Sequence, residues 1–303
     1  MQKVTHSEYI AQKKPLAKQL LAKLNEKYQY ASVLITDNYE KGYRASRSGV
    51  AISATNAFGG KGMIVKVYDG KGYAEYSTNE ITAENLPEIE REIEQQLMNP
   101  ANFIPEGTEE AEYKCISDEP CTLCEATDYE IHPREVGDEK LIETVTALRE
   151  KAVKADERIL DAITGFNYQE YHKLFLSANR ELEQSVLYST GIMALVAAKG
   201  EEIKQSFRGF SNLGGAELLD KMESAIPQCV KTVTDLLNAE PMEPGTYECI
   251  CTPEVTGMIV HEAFGHGVEM DMFVKDRALA QSYIGKQVAS PLVTMHDGCA
   301  QRE

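Results

Sequence analysis

The chain has 303 residues, 43% of them apolar, and carries 31 basic against 48 acidic residues for a net charge of −17. That length suits two domains. The acidic balance argues against a nucleic-acid partner, which would need clustered Lys and Arg. No apolar run approaches a membrane span, the stretch from Gly191 to Ala198 being far too short. Residues 1–24 are polar and Lys-rich, without a signal-peptide core, and an odd count of seven cysteines reads as reduced thiols in a cytoplasmic protein.

In chain order, Ser7 to Tyr28 reads as an amphipathic helix. Ile10, Leu16, Leu20, Leu21 and Leu24 recur at helical spacing, Ser7 serves as N-cap, and Pro15 threatens to split the helix. Four short strands are expected at Ser32 to Thr36, Gly49 to Thr55, Met63 to Tyr68 and Tyr73 to Ser77, with Asp69-Gly70 closing a hairpin. Gly59-Gly60-Lys61-Gly62 lacks the spacing of a phosphate loop and reads as a turn. Thr82 to Leu97 predicts a helix.

Residues 99–139 show no sustained period and read as a long loop or insertion. They hold Cys115, Cys121, Cys124 and His132, and Cys121-x-x-Cys124 is half of a zinc-knuckle spacing. The second Cys pair is missing, so free thiols in a loop are the expectation.

A helix is expected from Lys140 to Ile159. Strands follow at Tyr168 to Leu176, Leu182 to Ser189, Ile192 to Ala198 and Glu202 to Phe207, with Gly165, Gly191 and Gly200 as punctuation. Gly215 to Leu237 reads as a helix interrupted near Pro227. The run Glu240-Pro241-Met242-Glu243-Pro244-Gly245 marks a domain boundary. Beyond it, Tyr247 to Cys251 and Gln287 to Met295 look like strands, and Asp297-Gly298 like a turn. The fold class is thus α+β: an N-terminal domain over 1–240, built of antiparallel sheets with flanking helices and carrying the irregular insertion 99–139, then the start of a second α+β domain over 241–303.

The chemistry concentrates in His261-Glu262-Ala263-Phe264-Gly265-His266-Gly267-Val268-Glu269. Neutral imidazoles bind zinc, and a carboxylate beside them can act as general base in hydrolysis. The common zinc-protease spacing is His-Glu-x-x-His, at i and i+4 on one helix face. Here the histidines stand at i and i+5, roughly 140° apart on a straight helix. A π turn absorbs one extra residue, and Gly265 eases it. The residues alone therefore point to a bulged helix that brings both imidazoles to one metal. Glu269 is either the hydrogen-bonding partner of a ligating histidine or a ligand itself. Asp271, His296 and Cys299 are the other donors within reach in sequence. His6, His132 and His172 lie far from the motif and read as structural.

This motif resembles the signature of the TldD/PmbA family, specifically its TldD-type, metal-binding member; PmbA-type (TldE-type) subunits lack these histidines. A weaker likeness in the pattern of strands and helices extends over most of the chain. The resemblance implies a zinc-dependent peptidase acting on unfolded or extended peptides, with His261 and His266 as ligands and Glu262 as general base to a zinc-bound water. It also implies a PmbA/TldE-like partner subunit or a homo-oligomer. Family chains run further and take their third ligand from a distal Cys, so residues 241–303 are expected to be an incomplete metallopeptidase domain and the chain a C-terminally truncated member. The alternative is a non-catalytic assembly subunit, or an inactive fragment of such a peptidase.

Overall fold

The computed structural model describes residues 1–54, 60–98, 114–274 and 277–296. The chain divides into two units, Met1–Ala239 and Glu240–Glu303. The expected turn at Asp297-Gly298 and residues 99–113 of the expected insertion lie outside the described residues.

The first unit is built on strand alternation. Strands β1 (Gln2–Lys3), β2 (Tyr30–Ser46), β3 (Gly49–Ala54), β4 (Lys61–Tyr68), β5 (Tyr73–Thr78), β6 (Cys121–Ala126), β7 (Asp128–Tyr129), β8 (Ile159–Ser177), β9 (Arg180–Lys199) and β10 (Glu202–Leu213) come in runs separated by helices. These helices are α1 (Glu8–Lys27), α2 (Leu86–Met98), α3 (Pro133–Val136), α4 (Asp138–Lys154) and α5 (Leu218–Leu236). Eight strands form one sheet in the order β10-β9-β8-β2-β4-β5, with β3 paired to β2 and β6 to β9; β1 and β7 make a separate pair. All pairings are antiparallel except β6 with β9. The fold class is α+β.

One face of this sheet is covered in two patches. Ile10, Leu20 and Leu24 of α1 and Ile89 and Ile93 of α2 pack on Val33, Ile35, Val65 and Leu174. Leu141, Val145 and Leu148 of α4 and Met222, Ile226 and Val233 of α5 pack on Phe166, Met193 and Leu195. Each such fully buried side chain contributes about 1.5–3 kcal/mol. The two patches share a face, because Val33 pairs with Leu176 and Tyr43 with Phe166 across β2 and β8. Between them runs a polar row in register: Asp37 opposite His172, and His172 opposite Ser185.

Several expectations change. The short strands are longer and join: Leu182–Ser189 and Ile192–Ala198 are parts of one strand, β9, which passes through Gly191 without a turn. The two expected groups of strands are therefore parts of a single sheet. A Cβ at Gly191 would lie 2.4 Å from the Met222 sulfur, so this glycine admits α5 rather than breaking the strand. The Lys140–Ile159 helix ends at Lys154, and Ile159 opens β8.

Neither proline interrupts its helix. Pro15 lies inside α1 and Pro227 inside α5, and both are exposed, so the carbonyl each leaves unpaired faces water. The Asp69-Gly70 hairpin forms as expected: Gly70 takes φ 101°, and Asp69 Oδ1 accepts from the backbone N–H of Lys71 and Gly72.

The 99–139 segment is not all loop. Its described part carries β6, β7 and α3, held by pairing to β9 and β1 rather than by any local period. Cys121 and Cys124 sit on strand β6 an odd number of residues apart, so they point to opposite faces and do not form half a knuckle.

The second unit, among its described residues, contains helices and turns but no strand: α6 (Pro253–Val260), a π turn (His261–Gly265), a 3₁₀ turn (His266–Val268), α7 (Met270–Val274) and a 3₁₀ turn at Leu279–Tyr283. Tyr247–Cys251 and Gln287–Met295, expected as strands, have no strand partner here, and backbone that pairs with nothing gains no ladder. No described helix of the chain is long and apolar enough to cross a membrane.

Candidate metal centre

Helix α6 delivers the motif. Thr252 takes extended N-cap geometry, and Pro253 occupies the first turn, where its missing N–H costs nothing. The helix then widens. The His266 N–H donates to the carbonyl of His261, five residues back, which is the bond that defines a π turn. At Glu269 the backbone becomes extended, with ψ 125°, and the turn ends.

The widening places the side chains. The rings of His261 and His266 lie 4.5 Å apart, inclined at 65°. One donor atom from each of His261, Glu262 and His266 lies within 4.8 Å of the others, and all three residues are exposed. An added Cβ at Gly265 would touch the His261 ring at 3.5 Å, so the glycine leaves that side of the ring open. Ile259, Val260, Ala263 and Phe264 line an apolar cleft of about 730 Å³ with Val288 and Val293 of the same unit.

Glu269 is drawn in by its hydrogen bond with His266 Nδ1, 2.8 Å from its Oε1. That bond, and then the carboxylate's charge, hold the His266 imidazolium above its usual range. In the neutral ring the proton sits on Nδ1 and Nε2 keeps its lone pair. That atom is 3.7 Å from Glu262 Oε2.

The donor set suits a metal that accepts imidazole nitrogen and carboxylate oxygen, as zinc does. His261 and His266 supply two nitrogens, with Glu262 beside them. No further His, Cys, Asp or Glu joins this group among the described residues. Asp271 stands in the first turn of α7, His296 lies outside the group, and Cys299 lies outside the described residues.

The remaining sequence candidates are elsewhere. His132 caps α3, its Nδ1 accepting from the Arg134 N–H at 3.2 Å. His6 and His172 flank Ser185 in the first unit. That second polar cluster went unread in the sequence. Its signal was present: Glu170 and His172 occupy inward positions of β8, between Tyr168 and Leu174, where alternation asks for apolar side chains.

Residues 244–302 match the family model of the PmbA/TldA metallopeptidase C-terminal domain. A metalloprotease of Methanocaldococcus jannaschii is 20% identical over 280 residues, 91% of this chain and 60% of that protein. A metalloprotease of Methanothermobacter thermautotrophicus is 30% identical over 104 residues, 34% of this chain and 23% of that protein. The chain thus spans less than two thirds of the length of either relative. Among solved structures, one from Bacteroides thetaiotaomicron, named for a modulator of DNA gyrase, superposes with a TM-score of 0.67 at 16% identity, covering 91% of this chain and 62% of that one. TldE from Thermococcus kodakarensis superposes with a TM-score of 0.51 at 13% identity, covering 72% and 47%. A likeness of fold over most of the chain, and a match to the PmbA/TldA metallopeptidase C-terminal domain where the His-Glu motif sits, make this chain similar to the TldD/PmbA family.

Proposed function

We propose that the chain is a TldD-type metallopeptidase subunit that binds zinc through His261 and His266 and hydrolyses unfolded or extended peptides. The observation that carries this reading is the π turn, which sets the donor atoms of His261, Glu262 and His266 within 4.8 Å of one another. The metallopeptidase-domain match over 244–302 supports it, and supports reading residues 241–303 as part of that domain.

A bound zinc would supply Lewis acidity, polarising the scissile carbonyl and acidifying water. The protein's own groups do the rest. Glu262 takes a proton from the attacking water and returns it to the leaving amine. Glu269 fixes the His266 ring with Nδ1 protonated, so that Nε2 stays available. The likeness of fold to TldE supports a TldE-like partner subunit, with a homo-oligomer as the other arrangement. A cytoplasmic setting fits the seven cysteines.

Elemental analysis of the purified chain and of a His261→Ala, His266→Ala double variant tests the metal site: about one zinc per chain, lost in the variant, is expected. Glu262→Gln should keep the metal and abolish peptide cleavage. Cleavage that survives Glu262→Gln would overturn the assignment of the base. Zinc that survives the double variant would overturn the ligands.

A further inference from the structure

The first unit holds a second line of chemistry-bearing side chains. Cys124 Sγ lies 3.4 Å from His6 Nε2. His6 Nδ1 lies 2.9 Å from Ser185 Oγ, and Ser185 Oγ lies 2.9 Å from His172 Nδ1. His172 Nε2 then faces Glu170 Oε2 at 3.7 Å, too long for a direct hydrogen bond but close enough for its charge to be felt. Ser185, His172 and Glu170 are buried; His6 is half-buried and Cys124 exposed. Five elements or their flanks contribute: the segment ahead of α1, then β6, β8 and β9, with Arg134 of α3 closing the far end against Glu170 at 2.8 Å.

The direction of the protons follows from the buried end. Burial pushes the Glu170 carboxyl up, but His172, Arg134 and His132 outweigh it and hold the group below its usual range, so it is ionised. A carboxylate only accepts. Its charge, facing Nε2, favours the His172 tautomer protonated there, which leaves Nδ1 to accept. The single proton of the Ser185 hydroxyl goes to His172 Nδ1, and the oxygen accepts from His6 Nδ1–H. His6 Nε2 is left as a bare lone pair, and it is aimed at the exposed thiol. With that tautomer, every proton in the line has one place to go.

We propose that Cys124 is a nucleophilic thiol, with His6 as its base and Ser185, His172 and Glu170 as the residues that position that base, and that it is a modification site for soft carbon electrophiles such as α,β-unsaturated carbonyl compounds. In the reaction the sulfur pair forms an S–C bond to the β-carbon as the thiol proton passes to His6 Nε2. The C=C π pair moves toward the carbonyl, and the α-carbon then takes a proton back from His6. No oxidant and no leaving group are needed. While His6 holds the extra proton, Glu183 Oε1, 3.7 Å from its Nδ1, offsets the charge. Four buried or half-buried polar groups are expensive in a sheet face otherwise carrying Leu174, Leu176 and Leu187. Packing alone does not call for that line to end on a thiol at the surface.

The test uses the full chain and limiting N-ethylmaleimide, with adducts counted at each cysteine by peptide mass spectrometry. Cys115, Cys121, Cys249 and Cys251 are also exposed and serve as internal standards. Cys124 should react roughly tenfold faster than Cys121, a modest gain for a positioned base. His6→Ala should bring Cys124 down to the rate of Cys121, and imidazole added to the buffer should restore part of the difference, which loss of structure would not allow. Ser185→Ala should slow Cys124 through the unanchored ring. Equal rates at Cys124 and Cys121 in the parent chain overturn the proposal whatever the variants do. So does a folded His6→Ala chain whose Cys124 keeps its rate.

Discussion

His266 follows His261 by five residues, yet the two imidazoles meet with ring centres 4.5 Å apart. On a straight helix that separation would turn one ring roughly 140° away from the other. The His266 N–H bond to the His261 carbonyl widens the turn and removes the discrepancy. The inserted residue therefore leaves the pairing of the imidazoles intact, with a Glu262 oxygen within 4.8 Å of a donor atom of each.

The first prediction concerns Glu269. Its carboxylate holds the proton on His266 Nδ1 and so fixes which nitrogen is free. Glu269→Gln keeps the size but gives up the charge. Zinc affinity, measured by competition with a chelator of known strength, should fall about ten- to a hundredfold, the usual loss when the partner of a ligating histidine is changed. An unchanged affinity would mean that Glu269 does not orient the ring.

The motif was legible because its residue types and spacing point to a candidate metal site without any tertiary information. The π turn followed from the mismatch between five residues and 3.6 per turn. The strands were legible as strands, but not as one sheet: nothing local in β2 says that Lys41 pairs with Tyr168 and with Ala54. Gly191 looked like punctuation because sequence shows the absence of a side chain and not the helix that fills its place. Glu170 and His172 stand out in the alternation of β8, but their grouping with Cys124 was illegible for the same reason. His6, Cys124, Glu170, His172 and Ser185 come from four stretches, brought together by the parallel pairing of β6 with β9, the register of β8 with β9 and the pairing of β1 with β7 just ahead of His6.

The contact between Gly191 and Met222 gives the second prediction. A Cβ there would stand 2.4 Å from the sulfur and 3.1 Å from Cε of a side chain with no exposure. Gly191→Val should cost about 1–3 kcal/mol by overpacking. Met222→Ala should cost about 2–5 kcal/mol by leaving a cavity. Combined, the two changes relieve each other, so the double variant should lose less than the sum of the single losses. Denaturant unfolding of the three variants measures this. Simple additivity would show that β9 and α5 do not meet at this pair.

The third prediction is a pH dependence from His132. Its half-buried ring packs edge-on to Tyr129, with centroids 5.2 Å apart, and burial holds its imidazole below the usual histidine range. Arg134 adds to that effect while Glu170 and Glu135 oppose it. The unfolded chain, with the higher value, binds the proton first as pH falls. Stability from this group is therefore fully present above about pH 6.5 and is lost progressively below it. Protonation would also fill the Nδ1 lone pair that caps the Arg134 N–H. The melting temperature should thus drop between pH 7 and pH 5. His132→Asn keeps a capping acceptor but cannot titrate, so its curve over the same interval should be flatter than that of the parent. If the two curves fall in parallel, His132 is not the group that couples this fold to pH.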